Sequence, residues 1–193
     1  MPKRIGITGG IGAGKSTVSK IIESMGFPVF NSDNKAKEII NFHPEVKAEL
    51  IGIFGDSIYS NEVLNRPKLA EFIFNDPSLR EKVNHIVHPR VREEFDSFVL
   101  RNSSPLIFNE AAILFETGAF KQFDATILIT CPKSLRIERL MARDNSLQEE
   151  IEARMNAQWS DDQKQDLADY IIVNDEINPL LVQIEKVILD LLN

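Results

Sequence analysis

Gly9-Gly10-Ile11-Gly12-Ala13-Gly14-Lys15-Ser16-Thr17 fits the phosphate-loop pattern G-x-x-x-x-G-K-[ST]. Glycines allow such a loop to curl around phosphate with its N–H groups pointing inward, and the N-terminus of the following helix attracts the same charge. The apolar run 4–8 predicts a strand before the loop, and the apolar spacing of residues 18–25 predicts a helix after it. This order predicts a site for a nucleoside triphosphate. Lys15 is expected to reach the β- and γ-phosphates, and the Ser16 hydroxyl to help hold Mg²⁺.

The chain on either side of its middle alternates between apolar runs and amphipathic segments. Further strands are predicted at 27–30, 105–109, 125–130 and 170–173, and further helices at 132–143, at 147–159 and from 178 onward. Dense apolar runs are typical of strands that are buried on both faces. The alternation therefore predicts an open α/β domain with a five-stranded parallel sheet.

The middle of the chain, about 44–101, has helical spacing and no convincing strand signal. Asn65-Arg66-Pro67 and Asp76-Pro77 each predict a helix start, and Pro89 predicts a break before a last helix at 91–100. Further along, Ser146 and Glu149 predict a capping box for the helix 147–159. We expect a helical insertion at about 44–101 and a helical hairpin at about 132–159, with the α/β core formed by about 1–43, 102–131 and 160–193.

The composition limits the partners of this protein. The chain has 193 residues and a formal net charge of −7, which argues against coating nucleic acid or an anionic membrane. The single cysteine, Cys131, cannot form an internal disulfide and is expected to be a small core residue. No apolar run approaches the roughly 20 residues of a membrane span. We expect a cytoplasmic protein without nucleic-acid or membrane partners, either a monomer or a weak homo-oligomer.

A phosphate loop alone does not identify the reaction, because kinases, GTPases and mechanical ATPases share it. The guanine-reading Asn-Lys-x-Asp is missing, since Asn34-Lys35-Ala36-Lys37 lacks the aspartate. A small kinase needs an acceptor-binding insertion, a base and a mobile lid, and the chain has a candidate for each. The alternatives are a kinase of another nucleotide or small alcohol, and a nucleotide-dependent switch or binding module.

Several short motifs occur in the order in which one family has them. After the phosphate loop come Leu64-Asn65-Arg66, Ile86-Val87-His88-Pro89, Ile113-Leu114-Phe115-Glu116, Arg139 and Arg143, Arg154 to Gln158, Ala168-Asp169 and Ile172-Val173-Asn174. With these motifs the chain resembles the dephospho-coenzyme A kinase family over nearly its whole length. The resemblance implies a P-loop kinase fold of the nucleoside-monophosphate-kinase type with three layers. It also implies ATP and dephospho-CoA as substrates, transfer of the γ-phosphoryl group to the ribose 3′-hydroxyl, and Mg²⁺ as cofactor.

The chain departs from this family pattern in three places. Asn31-Ser32-Asp33 replaces the usual Asp-x-Asp, Glu110 stands where Asp is more common, and Asn174-Asp175-Glu176 lacks a common glycine. Asp33 keeps its position after the second strand, where it is expected to accept the proton of the attacking hydroxyl. Its alternative role is that of an acid at a helix start. Glu110 is expected to contact metal or substrate.

Arginines on the predicted hairpin are candidates for charge neutralisation. Arg136, Arg139 and Arg143 fall at i, i+3 and i+7, which places them on one helix face. We expect Arg139 and Arg143 to neutralise the phosphoryl group from a lid at about 132–159, although a solvated face paired with glutamates has the same pattern.

The remaining site candidates rest on the resemblance. It implies that Asn174 contacts the nucleotide, and that Arg66, His88, Arg92 and Glu116 contact the acceptor. His88 is also compatible with a capping or packing role.

Overall fold

The computed structural model describes the backbone of residues 1–193 and the side chains of all residues except Phe74, Asn75 and Pro77. The strands are β1 (Lys3–Gly9), β2 (Val29–Asn31), β3 (Tyr59–Ser60), β4 (Val63–Leu64), β5 (Leu106–Glu110), β6 (Ala125–Thr130) and β7 (Tyr170–Val173). The helices are α1 (Lys15–Ser24), α2 (Ser32–Phe42), α3 (Pro44–Phe54), α4 (Arg66–Asn75), α5 (Pro77–Leu100), α6 (Lys133–Asp144), α7 (Gln148–Asn156), α8 (Asp161–Gln165) and α9 (Leu180–Leu192). Short 3-10 turns lie at Asp56–Ile58 and Ala119–Gln122.

The main sheet is parallel and five-stranded, in the order β2, β5, β1, β6, β7. This confirms the predicted strands and the α/β class. β1 is the central strand, and its Ile7 lies opposite Glu110 of β5 on one side and Ile127 of β6 on the other. Because all five strands run in one direction, their carboxyl ends share one edge of the sheet, which is where open α/β sheets bind ligands.

Apolar side chains of the strands and of two helices form the core of the sheet. Ile5 and Ile7 of β1 are fully buried, and they share one apolar cluster with residues of α1 and α9. Cys131 belongs to the same cluster and is 6% exposed, which confirms its expected place in the core. The start of α1 is therefore fixed against the sheet directly after the phosphate loop.

The chain forms two compact units. One comprises residues 1–31 and 101–193 and contains the five-stranded sheet with α1 and α6 to α9. The other comprises residues 32–100 and contains α2 to α5 with the short sheet of β3 and β4. Each unit has an apolar cluster of its own.

The predicted break at Pro89 was wrong, because α5 continues through this residue to Leu100. Pro89 is exposed, whereas Val83, Val87, Phe95 and Val99 on the same helix are buried. Proline inside a helix costs about 3 kcal/mol, and burial of each large aliphatic or aromatic side chain contributes about 1.5–3 kcal/mol. The apolar face on both sides of Pro89 therefore outweighs its local cost.

The expectation that the middle contains no strand was also wrong. β3 and β4 pair antiparallel, with Tyr59 opposite Leu64 and Ser60 opposite Val63. The connecting residues Asn61 and Glu62 have φ angles of 49° and 68°. A two-residue loop with positive φ at both positions is typical of a tight hairpin, but glycine usually takes the second position. Because Glu62 occupies that position, the sequence lacks the glycine that would have predicted a hairpin.

The predicted capping box of Ser146 and Glu149 was displaced by one residue. α7 begins at Gln148, and the backbone N–H of Leu147 donates to Glu150 Oε2 at 3.1 Å. Asn145 ends α6 in the left-handed conformation, with φ 52°.

None of the helices in the described part of the chain is long and apolar enough to cross a membrane.

Two leucines of α9 differ in exposure, and their substitution tests the packing of this helix on the sheet. Leu191 is 4% exposed and Leu189 is 62% exposed, on the same helix. We expect Leu191→Ala to lower the free energy of unfolding by about 2–3 kcal/mol through lost burial and a remaining cavity. Leu189→Ala should change it by less than about 0.5 kcal/mol. Urea unfolding measures both, and equal effects would contradict the packing of α9 on the sheet.

Candidate active site

The phosphate loop joins the end of β1 to the start of α1. Gly9 is the last residue of β1, and Gly14 precedes α1 with φ 94°, a conformation that favours glycine. A Cβ atom at Gly14 would overlap the side-chain amide of Asn174. The first N–H groups of a helix have no carbonyl partner within the helix, so the N-terminus of α1 suits a phosphate. The predicted sequence of strand, loop and helix is confirmed.

Side chains distant in sequence hold the backbone of the loop. Arg136 Nε donates to the Ile11 carbonyl at 2.8 Å, and the Ile11 N–H donates to Gln158 Oε1 at 2.8 Å. The Asn174 side chain donates to the Ala13 carbonyl at 2.9 Å. Asn174, predicted to contact the nucleotide, is thus a contact of the loop itself.

Lys15 and Ser16 lie at the first two positions of α1. Lys15 Nζ donates to the carbonyls of Gly9 and Gly10, at 2.8 and 3.3 Å. Ser16 and Thr17 are exposed at the helix start. The lysine ammonium therefore already lies over the loop that is expected to hold phosphate.

Glu110 ends β5 and is 6% exposed. It lies in register with Ile7 of β1 and with Asn31 of β2, the two strands on either side of β5. Its carboxylate is therefore at the carboxyl edge of the sheet. Among the described side chains, no three His, Cys, Asp or Glu residues group closely enough to hold a metal ion. Mg²⁺ in phosphoryl-transfer sites commonly takes only one or two protein ligands beside phosphate and water, so an oxygen donor pair such as Ser16 and Glu110 fits its chemistry.

The three arginines of α6 differ in their surroundings. Arg136 has only 9% of its side chain exposed and lies 3.4 Å from Asp161. Arg139 donates to Glu176 Oε1 at 2.9 Å, to the Asn174 side chain at 3.4 Å and to Cys131 Sγ at 3.3 Å. Burial raises the pKa of the Cys131 thiol, which keeps it a neutral acceptor.

Arg143 is mostly exposed and pairs with Asp144, and Arg154 of α7 donates to the same carboxylate at 3.0 Å. These hydrogen bonds, from Arg143 first and Arg154 second, lower the pKa of Asp144 from 3.8 to about 2. The carboxylate links α6 to α7 near the tip of their hairpin.

Glu116 lies in a buried ion pair. Its Oε1 is 2.8 Å from Nζ of Lys164, a residue with no exposed surface, and it also accepts from the Trp159 N–H at 3.2 Å. A buried ammonium needs such a partner because desolvation is costly. These contacts connect the loop after β5 to α8 and to the segment that precedes it.

The other unit contains the remaining candidates. Asp33 lies in the first turn of α2, and Arg66 is the exposed first residue of α4. His88 and Arg92 lie four residues apart on α5, which places them on neighbouring turns of one face. Burial first, and then the charge of Arg92, lowers the pKa of His88, so its imidazole is neutral over a wider pH range.

Sequence reasoning named Arg136 among the candidate arginines, but it did not predict the hydrogen bonds by which Arg136 and Gln158 hold the phosphate loop. Arg136 shares the helix face of Arg139 and Arg143, and Gln158 ends one of the motifs. The helix face and the motif indicated that these residues lie near the site. They did not indicate the contacts with Ile11, which join residues more than a hundred positions apart in the sequence.

A phosphate loop after the central strand of a five-stranded parallel sheet, with a basic helix held against it, defines a P-loop nucleotide-binding fold, and the family match that follows shows that it is a kinase. The family model for dephospho-CoA kinase matches residues 3–179. A dephospho-CoA kinase from Bacteroides fragilis (strain YCH46) is 39% identical over 189 residues, which cover 97% of this chain and 92% of the relative. The chain belongs to the dephospho-CoA kinase family.

Solved structures agree with this assignment. The protein TT1252 from Thermus thermophilus matches with a TM-score of 0.89 and 34% identity, covering 100% of this chain and 98% of that chain. A dephospho-CoA kinase from Campylobacter jejuni matches with a TM-score of 0.69 and 27% identity, covering 98% and 97% of the two chains. The predicted fold class and the family resemblance are both confirmed.

The low pKa of Asp144 predicts a dependence of stability on pH. The folded pKa of about 2 lies below the ordinary 3.8, so the folded state binds fewer protons in that interval. The stabilisation is therefore complete above about pH 4 and is lost as the pH falls toward about 2. We expect Asp144→Asn to lower the Tm at neutral pH, and the difference from wild type to narrow as the pH falls below about 4.

Thermal unfolding at several pH values measures this effect. The matched control is Asp162→Asn, at an exposed position in the first turn of α8. A Tm difference for Asp144→Asn that stays constant with pH would show that the pairing with Arg143 and Arg154 does not stabilise the fold.

Proposed function

We propose that the chain transfers the γ-phosphoryl group of ATP to the ribose 3′-hydroxyl of dephospho-CoA, giving CoA and ADP. The single observation that carries this proposal is the phosphate loop of residues 9–17 in a chain that matches dephospho-CoA kinases over nearly its full length. Phosphoryl transfer asks little covalent chemistry of the protein, so positioning and charge neutralisation supply most of the catalysis.

The nucleotide binds at the phosphate loop in this proposal. The loop of Gly9 to Thr17 and the N-terminus of α1 hold its phosphates through backbone amides other than that of Ile11, which donates to Gln158, and Asn174 donates to the Ala13 carbonyl. Lys15 exchanges its carbonyl contacts with Gly9 and Gly10 for the β- and γ-phosphates. The ammonium needs to move only from one set of oxygen atoms to another.

The Ser16 hydroxyl and the Glu110 carboxylate would hold Mg²⁺. Both supply oxygen atoms, which Mg²⁺ prefers, and Glu110 ends a strand next to β1. When bound, the ion neutralises charge on the phosphates.

Asp33 accepts the proton of the attacking 3′-hydroxyl. It follows the last residue of β2 by two positions, and β2 runs parallel to the strand that leads into the phosphate loop. Ligands of open α/β sheets bind beyond the carboxyl ends of the strands. A carboxylate in that place can act as the base of a kinase.

Arg139 and Arg143 neutralise the transferring group from a lid at about 132–159. Their partners Glu176 and Asp144 are surface carboxylates, and a surface ion pair contributes only about 0–1 kcal/mol. Phosphate oxygens can therefore replace them.

The acceptor binds to the helical insertion at about 44–101. Arg66, Arg92 and the partly buried His88 of this unit supply the polar contacts to the acceptor. We further expect a cytoplasmic enzyme, monomeric or weakly associated, whose partners are its two substrates.

An acceptor panel tests the reaction. The protein is incubated with Mg·ATP and dephospho-CoA or nucleoside monophosphates, and the phosphorylated product is identified by mass. We expect the product only with dephospho-CoA. ADP release that does not depend on an acceptor would favour a nucleotide switch.

In the same assay Asp33→Asn should reduce kcat by about 100-fold or more, the lower range for loss of a general base, while ATP binding persists.

The matched control for this variant is Asp56→Asn, the same change at an exposed position of the same unit. It should keep the wild-type rate. Near-normal turnover of Asp33→Asn would exclude Asp33 as the base.

Arg143→Ala tests the lid. Loss of an arginine that neutralises the transferred group should reduce kcat by about 10³-fold. The comparison is Arg101→Ala, also an exposed arginine. Unchanged kcat and ATP affinity in Arg143→Ala would remove this residue from the mechanism.

A further inference from the structure

Both backbone polar groups of Ile11 are held by side chains, and these two groups belong to the two successive peptides Gly10–Ile11 and Ile11–Gly12. The Ile11 N–H donates to Gln158 Oε1 at 2.8 Å, and the Ile11 carbonyl accepts from Arg136 Nε at 2.8 Å. Gly10 and Gly12 flank Ile11, and glycine places little restriction on backbone rotation. The orientation of the Gly10–Ile11 peptide is therefore set by Gln158, and that of the Ile11–Gly12 peptide by Arg136.

Arg136 is held firmly in this position. Its side chain is 9% exposed and pairs with Asp161 at 3.4 Å. A Cβ atom at Gly10 would overlap the Arg136 guanidinium, so the side chain lies directly against the loop. Glycine at position 10 thus serves the approach of Arg136 as well as the curvature of the loop.

Gln158 is fixed through its neighbours. The next residue, Trp159, donates its backbone N–H to Glu116 Oε1 at 3.2 Å, and Glu116 pairs with the fully buried Lys164. Ser160 then begins α8 with a capping box. The segment that carries Gln158 is therefore anchored to the loop after β5.

The orientation of the Ile11–Gly12 peptide matters for binding of an anion. A phosphate in the loop is attracted by N–H groups that point inward and repelled by a carbonyl that does the same. In the observed orientation the Ile11 carbonyl faces the Arg136 guanidinium. Rotation of the Ile11–Gly12 peptide would break the hydrogen bond to Arg136, and rotation of the Gly10–Ile11 peptide would break the one to Gln158.

We propose that Arg136 and Gln158, the Ile11 clamp, are positioning residues for the nucleotide: they keep the phosphate loop in its phosphate-binding shape. The inference rests on the proposed binding of ATP at this loop. Because Arg136 belongs to α6 and Gln158 follows α7, the clamp also makes the shape of the loop depend on the position of the α6–α7 hairpin.

Gln158→Leu tests the clamp, because leucine is similar in size and cannot accept a hydrogen bond. The Kd for ADP and the KM for ATP should rise about five- to tenfold, the effect of one lost buried hydrogen bond. The KM for dephospho-CoA should stay within about twofold of the wild-type value, since the proposed contacts with the acceptor are unchanged. Amide exchange of Ile11, measured by NMR, should become faster. Gln158→Glu, which keeps an acceptor oxygen, should keep the Ile11 amide protected.

The matched control is Gln148→Leu, since the Gln148 side chain bonds Glu152 within α7. It should leave ADP affinity and Ile11 exchange unchanged. A fall in Tm with unchanged ADP affinity and unchanged Ile11 exchange in Gln158→Leu would overturn the proposal, as would equal changes in both KM values. Should Gln158→Leu fail to fold, Arg136→Gln decides by the same readouts. ADP affinity and Ile11 exchange need no acceptor, so a failure of the proposed reaction would be seen separately.

Discussion

The site depends on one constraint: a loop built largely of glycine has to keep a single shape. Glycine allows the backbone to turn tightly, but it loses more conformational entropy than other residues when it becomes ordered. The loop of residues 9–17 is ordered by contacts from elsewhere in the chain. Arg136, Gln158 and Asn174 each bond its backbone, and β6 lies so close to Gly9 that a Cβ atom there would overlap the Ile129 carbonyl.

The parallel sheet brings these contacts together. β1 is the central strand, so the loop at its carboxyl end lies between the ends of β5 and β6. β5 contributes Glu110 at its last position, and the chain continues from β6 through Cys131 and Pro132 into α6, which carries the arginines. The residue after β7 is Asn174. Glu110, the α6 arginines and Asn174 therefore all lie at or after the carboxyl ends of strands of the same sheet.

The sequence predicted what depends on local pattern. The phosphate loop, the five strands and the helix face of the α6 arginines follow from spacing and from glycine positions, and family resemblance added the reaction. The sequence did not predict the features that depend on tertiary contacts. α5 passes through Pro89 because buried residues on both sides favour it, the turn at Asn61 and Glu62 lacks its usual glycine, and the contacts of Ile11 join residues far apart in the chain.

In the proposed reaction the acidic chain binds two polyanions, ATP and dephospho-CoA. Which arginines can contact them depends on how firmly each arginine is paired with a carboxylate of the protein. Each α6 arginine has a carboxylate partner: Asp161 for Arg136, Glu176 for Arg139 and Asp144 for Arg143. The pair of Arg136 is largely buried, and breaking such a pair costs about 3–5 kcal/mol, whereas an exposed pair is worth about 0–1 kcal/mol. Phosphate can thus displace the partners of Arg139 and Arg143 at little cost, but not that of Arg136. In the proposed reaction, exposure of the arginine side chain therefore distinguishes Arg136, which is 9% exposed and contacts the Ile11 carbonyl, from Arg139 and Arg143, which are 28% and 63% exposed.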